Sequence, residues 1–254
     1  MTKQLSTPDQ YFARVAKLLA KLQADEAGNI HRAAELLLQQ IKSDRLIHVF
    51  GVSGHSVIGS EEFFWRAGGL CHVSPLFDLT LMLSGGGLKS TQIERVQGVG
   101  DKVISSAMLA EGDLLIITSI YGMNAATIDA ALEAKKRGVT IIAITSAEHS
   151  SKTPSDFVAR HPSKQNLQDI VDVTIDNHVP HGDTIMSVPN FPQMVGAVST
   201  ILVSASIQWL VMETVNLGTE AGVEVPVWQS ANTVGGDDRN AQFLKEFSPR
   251  VKAL

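Results

Sequence analysis

Ser53, Gly54, His55 and Ser56 stand just after the apolar run Leu46-Ile47-His48-Val49-Phe50. Ser119, Tyr121, Gly122 and Asn124 stand in the same relation to Leu114-Leu115-Ile116-Ile117-Thr118. Small hydroxyl residues and glycine, placed where a strand hands over to a helix, leave backbone N–H groups free at the positive end of the helix dipole. That arrangement binds anions, and hydroxyl and amide side chains add further donors. Any one of these residues alone reads as an ordinary helix cap. Two such turns at neighbouring strand ends can hold a phosphate between them, which points to a phosphorylated small molecule.

Other residues could do proton chemistry beside such a phosphate. Glu61 and Glu62 lie on the helix that the first turn opens. Adjacent helical residues point about 100° apart, so one of the two faces the pocket. A partly buried glutamate suits the transfer of a proton between neighbouring carbons, because burial raises its pKa. His55 lies inside the first turn, and His178 and His181 lie in the run Asp176-Asn177-His178-Val179-Pro180-His181-Gly182-Asp183. Their spacing could place both toward the site, to contact ligand hydroxyls or hold a metal. No spacing of His and Cys reads as a zinc site, so no metal is assigned, and proton transfer by a glutamate calls for no obligatory organic cofactor. Arg66, Lys89 and Arg95 could bring positive charge to the anion, or pair at the surface with Glu62 and Glu94.

These side chains need a frame to hold them. Strands are predicted at Leu46–Phe50, Cys71–Val73, Leu114–Thr118, Thr140–Thr145 and Val171–Thr174. Helices are predicted at Ser56–Ala67, Asp101–Leu109 and Asn124–Arg137, the last stopped by Gly138. The strands are continuous Ile, Leu and Val runs, as expected when helices cover both faces of a parallel sheet. Ligands then bind at the carboxyl ends of strands, where both turns fall. A helical hairpin precedes the sheet over residues 1–44. Thr7 caps its first helix, Pro8 takes the first helical position, Gln10 completes a capping box, and Ala27-Gly28-Asn29 separates the two helices. Met194 to Val215 reads as a buried apolar helix. Residues 74–100, with Gly85-Gly86-Gly87, read as a mobile loop leading into a short helix. The tail 218–254 holds the polar stretch Asn232–Asp238, which reads as a lid, a reach into a neighbouring subunit's site, or a surface turn. No linker divides the 254 residues, so one domain is expected.

Composition narrows the class of partner. A net charge of −5 with scattered Lys and Arg excludes the electrostatic footprint of a nucleic-acid or anionic-membrane binder. The one cysteine, Cys71, excludes an intrachain disulfide framework and is read as buried and inert in the second strand. Residues 1–20 carry Asp9 and do not read as a signal peptide. A cytoplasmic protein acting on a small molecule is expected.

The strand, serine turn and helix used twice resemble the sugar isomerase (SIS) domain family over roughly residues 30–216. The strongest piece is Asp113 to Asn124, followed by Ala130, Ala131, Ala134, Gly138 and Ile141–Thr145. Members usually read Ser-x-Ser-Gly-x-Thr here; Ser119 and Gly122 match, Tyr121 replaces the second Ser and Asn124 the Thr. Within the family the chain looks most like the phosphoheptose isomerases and an uncharacterised subgroup beside them. Gly54-His55-Ser56 followed by Glu61-Glu62-Phe63 is similar to their Gly-Ser-His and Ala-Glu-Glu-Leu elements. The resemblance implies a three-layer αβα sandwich around a five-stranded parallel sheet, a sugar phosphate as ligand and Glu62 as the proton-transferring base. Ser53, Gly54, His55, Ser56, Ser119, Tyr121, Gly122 and Asn124 become its sugar phosphate site, with Glu61, His178 and His181 beside the base. The heptose enzymes carry a Gln and histidines on the final helix; Gln193 here is followed by Gly196, Ala197 and Thr200. An aldose–ketose isomerase, a phosphosugar lyase or etherase, and a non-catalytic phosphosugar sensor all fit this pattern. Family members commonly assemble so that neighbouring subunits complete the site, which implies a homodimer or homotetramer.

Overall fold

The computed structural model describes residues 7–254, and the capping role read for the Thr7 side chain lies outside the described residues. Two helices come first, α1 (Thr7–Asp25) and α2 (Ala27–Lys42). Strand and helix then alternate through β1 (Ile47–Gly51), α3 (Val57–Phe63), β2 (Val73–Pro75), α4 (Gly87–Ile93) and α5 (Val99–Ser106). They continue through β3 (Leu114–Thr118), α6 (Ala125–Lys136), β4 (Thr140–Thr145), α7 (Ala147–Lys152) and β5 (Val173–Asp176). The five strands form one parallel sheet in the order β2-β1-β3-β4-β5. The chain runs from β1 outward to β2 and then returns to the other side of β1 for β3. The switch point of the sheet therefore lies between β1 and β3, where α/β sheets leave a crevice for ligands.

The alternation of side chains along each strand builds the three layers. Leu114 and Ile116 of β3 pack with Val15, Leu37, Leu202 and Leu210 on one face. Leu115 and Ile117 pack with Ile104, Ile128 and Ala131 on the other. Both faces are buried, which is why these strands carry no polar alternation. Helix α3 lies directly on the Thr118 side chain at the end of β3: a Cβ on Gly59 would stand 2.3 Å from Thr118 Oγ1.

Several boundaries differ from the sequence expectation. The first two helices part at buried Glu26, and Gly28 and Asn29 lie inside α2. The Glu26 carboxylate accepts hydrogen bonds from Asn29 Nδ2 at 2.8 Å and the Asp176 backbone N–H at 3.1 Å, tying the helix junction to the end of β5. The helix expected to reach Ala67 stops at Phe63, since Phe64 is extended and Trp65 has a φ of 49°. Residues 184–197 form an antiparallel hairpin, β6 (Thr184–Val188) with β7 (Phe191–Ala197). Gln193 and Met194 are thus strand residues, and the apolar helix α8 spans Ser199–Glu220. It alone among the described helices is long and apolar enough to cross a membrane, and its inner face is part of the core. In the tail, α9 (Gly236–Phe247) brings Phe243 and Phe247 onto Trp228 and Cys71. Burial there pushes the Cys71 thiol well above its ordinary range.

Candidate functional site

The two serine turns lie side by side because β1 and β3 pair through Gly51 and Thr118. The first continues β1 through Ser53 into a tight 3-10 turn, Gly54–Ser56, and then α3. The second runs from Ser119 to Asn124, which stands at the N-terminal boundary of α6. Ile120 donates its backbone N–H to Ser56 Oγ at 3.1 Å, and Thr118 Oγ1 donates to the Ser56 carbonyl at 2.8 Å. The turns are therefore held in register, and they line one cavity of about 190 Å³. Ser53, Gly54, His55, Ser56, Ser119, Tyr121 and Asn124 form part of its wall, joined by Ser90, Glu94 and Asp183.

Hydrogen-bond accounting separates the serines by role. Ser56 Oγ accepts from Ile120, so its own O–H is left to donate. Ser119 Oγ accepts from the Gly122 N–H at 3.2 Å and sits 3.0 Å from Thr127 Oγ1. When Thr127 donates, the Ser119 hydrogen is likewise free for an anion. Asn124 is 7% exposed and lines the cavity at the N-terminus of α6, and its Oδ1 has no partner, which leaves an acceptor for a ligand hydroxyl. Ser53 differs, because its hydroxyl already donates to Glu94 Oε2. Gly122 shapes the second turn at φ 59°, where a Cβ would meet Thr145 Oγ1 at 2.5 Å.

Glu94 is the residue that the sequence reading left at the surface as a partner for Lys89 or Arg95. Its carboxylate bonds to Ser53, and its carbonyl accepts the Ala126 N–H at 2.9 Å in the first turn of α6. One residue thus bridges both turns. The signal was the i, i+4 pair Ser90 and Glu94, which places a hydroxyl and a carboxylate on one helical face. Lys89 and Arg95 are exposed, and with Arg66 they stand outside the wall of the cavity. Asp183, at φ 66°, accepts from the Val198 and Ser199 backbone N–H groups at 3.0 and 2.8 Å and from Ser199 Oγ at 2.8 Å. It caps α8 and closes the cavity at the same time.

The glutamate pair lies elsewhere. Glu61 is exposed, and Glu62 holds Arg66 Nε at 2.9 Å and Gln208 Nε2 at 2.6 Å between α3 and α8. The two loop histidines are separated as well. His178 sits between helices and sheet, with Nδ1 2.9 Å from Lys21 Nζ and Nε2 3.6 Å from Glu26 Oε1. Burial raises the Glu26 pKa, but its contacts with His178, Asn29 and the Asp176 N–H outweigh that and hold it below the usual range. His181 instead ends a column of rings beside the cavity, stacked on His149 at 4.6 Å, which stacks on Tyr121 at 3.8 Å. Burial first, then Asp183 and Glu94, raises the Tyr121 pKa, so its phenol stays a donor at neutral pH. Among the described residues, no three His, Cys, Asp or Glu side chains are grouped to share a metal ion.

His149 also sets a pH dependence. Burial, followed by His181 and Arg160, lowers its pKa from 6.5 to about 4. His72, packed edge-on against Phe247, is lowered to about 4 by burial and Arg250. Both are neutral in the fold at pH 7, so the 3.9 Å approach of His72 to Asp44 is not an ion pair there. Unfolding releases both to their ordinary value, and the unfolded chain binds more protons between about pH 6.5 and 4. The contribution of these two histidines to stability is therefore complete above that window and falls as pH falls through it, with a slope approaching two protons, about 2.7 kcal/mol per pH unit. Urea unfolding across the window measures that slope, and His72→Leu should remove about one proton from it. An unchanged slope in that variant would rule His72 out as a source.

A SIS domain model matches residues 10–146. A UPF0309 protein of Geobacillus kaustophilus is 35% identical over 246 residues, which is 97% of this chain and 96% of that protein. Another, of Geobacillus thermodenitrificans, is 36% identical over 97% of each chain. In three dimensions the chain is similar to the phosphoheptose isomerase of Neisseria gonorrhoeae, with a TM-score of 0.53, 18% identity, and coverage of 83% of this chain and 96% of that one. It is also similar to a phosphoheptose isomerase of Francisella tularensis, with a TM-score of 0.54, 15% identity, and coverage of 85% and 100%.

Proposed function

The chain belongs to the SIS domain family and to its UPF0309 members, and from that premise we propose that it is an aldose–ketose isomerase acting on a sugar phosphate. The observation that carries the reading is the convergence of Ser56, Ser119 and Asn124, each with polar capacity to spare, on one cavity that also holds the Glu94 carboxylate. The phosphate sits against the serine hydroxyls and the N-terminus of α6, whose dipole favours it. The sugar extends past Glu94 toward Tyr121 and His55. Glu94 removes a proton from the carbon next to the carbonyl, giving an enediolate, and returns it to the neighbouring carbon. Tyr121 donates its phenol hydrogen to the carbonyl oxygen as charge develops there and recovers a proton from the adjacent hydroxyl, which becomes the new carbonyl. Ser53 acts through Glu94, holding the carboxylate by its hydroxyl.

A panel of hexose, amino-sugar and heptose phosphates in a thermal-shift assay tests the binding half of this reading. A true ligand at about 100 times its Kd adds about 2.7 kcal/mol and raises Tm accordingly. Ser119→Ala should lose most of that rise while keeping the unliganded Tm within a few degrees. If no sugar phosphate stabilises the protein, or Ser119→Ala responds as the parent does, the site is misassigned.

A second reading is a phosphosugar sensor without turnover. What favours it is that Glu61 and Glu62 stand outside the cavity, with Glu62 held by Arg66 and Gln208. Incubating the best ligand in deuterium oxide separates the two, since a sensor leaves the hydrogen next to the carbonyl in place.

A further inference from the structure

A second concavity lies beyond the end of α3 and shares no lining residue with the phosphate site. It is a cleft of about 430 Å³ between the segment that follows α3 and the segment that leads into α9. Trp65 and Arg66 form one wall, and Trp228, Gln229, Asn232 and Asn240 contribute to the other. Both walls are fixed. Trp228 exchanges backbone hydrogen bonds with Gly68 and Gly69 at 2.7 and 2.9 Å. Asn240, buried, clamps the Gln229 backbone from both sides, accepting its N–H at 2.9 Å and donating to its carbonyl at 2.8 Å.

Trp65 is costly as it stands. Its φ of 49° is a conformation that bulky residues avoid, and 47% of the residue is exposed to water. Its ring leans on Trp228 at 4.7 Å, so one tryptophan is buried as support for another that is left half open. A fold that needed only packing here would bury this ring or do without it. Strained backbone and an exposed aromatic in a concave, rigid site are features of ligand recognition.

We propose that this cleft binds an uncharged pyranose ring. The apolar C–H face of a sugar lies on an indole, and its hydroxyls, each donor and acceptor at once, match amide side chains that are also both. Arg66 can donate to a hydroxyl while its positive charge is balanced by Glu62, whose Oε1 holds its Nε at 2.9 Å. That internal balance favours a neutral ring over an acidic one.

The three tryptophans give three indole N–H signals in a proton–nitrogen correlation spectrum of the full chain. Titration with glucose, N-acetylglucosamine and glucuronate tests the assignment, with inorganic phosphate as a separate probe of the serine cavity. The expected result is a saturable shift of the Trp65 and Trp228 signals with a neutral sugar, Trp209 staying still. Trp65→Gly removes the ring and relaxes the backbone, so it should keep the fold and weaken binding about ten-fold. Exposed Asn232→Ala should weaken binding without touching the core, and it carries the test if the tryptophan variant unfolds. No shift with either neutral sugar, a shift with glucuronate alone, or equal affinity in both variants would overturn the proposal. Phosphate shifting signals of the serine turns while the tryptophans ignore every sugar would leave the phosphosugar site standing and remove this one.

Discussion

Replacing Glu94 by glutamine is expected to slow deuterium exchange into a bound aldose phosphate by about 10²- to 10⁴-fold, with little loss of affinity. The substitution is nearly isosteric. The Ser53 hydroxyl that donates to Glu94 Oε2 can still donate to the amide oxygen. The bond from the Ala126 N–H goes to the Glu94 backbone carbonyl and is unaffected, so the N-terminus of α6 stays in place. What disappears is the only property a base needs, a lone pair able to carry a proton at neutral pH. Glu62→Gln is the comparison. Its carboxylate is occupied by Arg66 and Gln208 between two helices, so the loss there should fall on local packing and leave exchange within a few-fold of the parent. The opposite pattern, exchange stopped by Glu62→Gln and preserved in Glu94→Gln, would return the base to the helix that follows the first turn. Exchange unchanged in both would remove a glutamate base altogether.

The contrast between these two glutamates shows what a sequence can and cannot carry. The strands at Leu114–Thr118 and Thr140–Thr145 were legible to the residue, because a strand buried on both faces must be a short apolar run. The serine turns were legible for a related reason, since the ends of such strands are where small polar residues accumulate. Spacing along a helix shows only that two neighbours diverge; what each meets depends on the element packed against it. Glu62 meets α8, whose true start at Ser199 was hidden because the end of the preceding hairpin, Met194-Val195-Gly196-Ala197, is as apolar as the helix. Glu94 meets Ser53 because the short helix expected within residues 74–100 lies over the first turn, a placement that spacing along the chain does not show. His178 and His181 part for the same kind of cause, one drawn to Glu26 at the helix junction and the other to the ring of His149.

Gly100→Ala is expected to cost about 3 kcal/mol or more, among the largest effects available to a single methyl group in this chain. Helices α5 and α6 touch through their backbones at this point. A Cβ on Gly100 would stand 2.0 Å from the Ala126 carbonyl oxygen and 2.7 Å from the Ala130 nitrogen. Neither atom can rotate aside, as the end of a flexible side chain would, so the helices must separate. The Gly98 N–H bonded to Asp129 Oδ2 at 2.6 Å, and the packing of Val103 and Ile104 against α6, resist that separation. The damage reaches the site as well, because Ala126 and Asn124 belong to the helix that would be pushed. Gly28→Ala makes the same chemical change in exposed α2, where nothing lies within 4 Å of the added carbon. There the loss of backbone entropy in the unfolded chain dominates, and a gain of about 0.5–1 kcal/mol is expected. Urea unfolding of the two variants beside the parent should therefore give opposite signs. A Gly100→Ala protein as stable as the parent would mean that α5 and α6 do not meet at backbone distance, and that the second turn is positioned by something other than their contact.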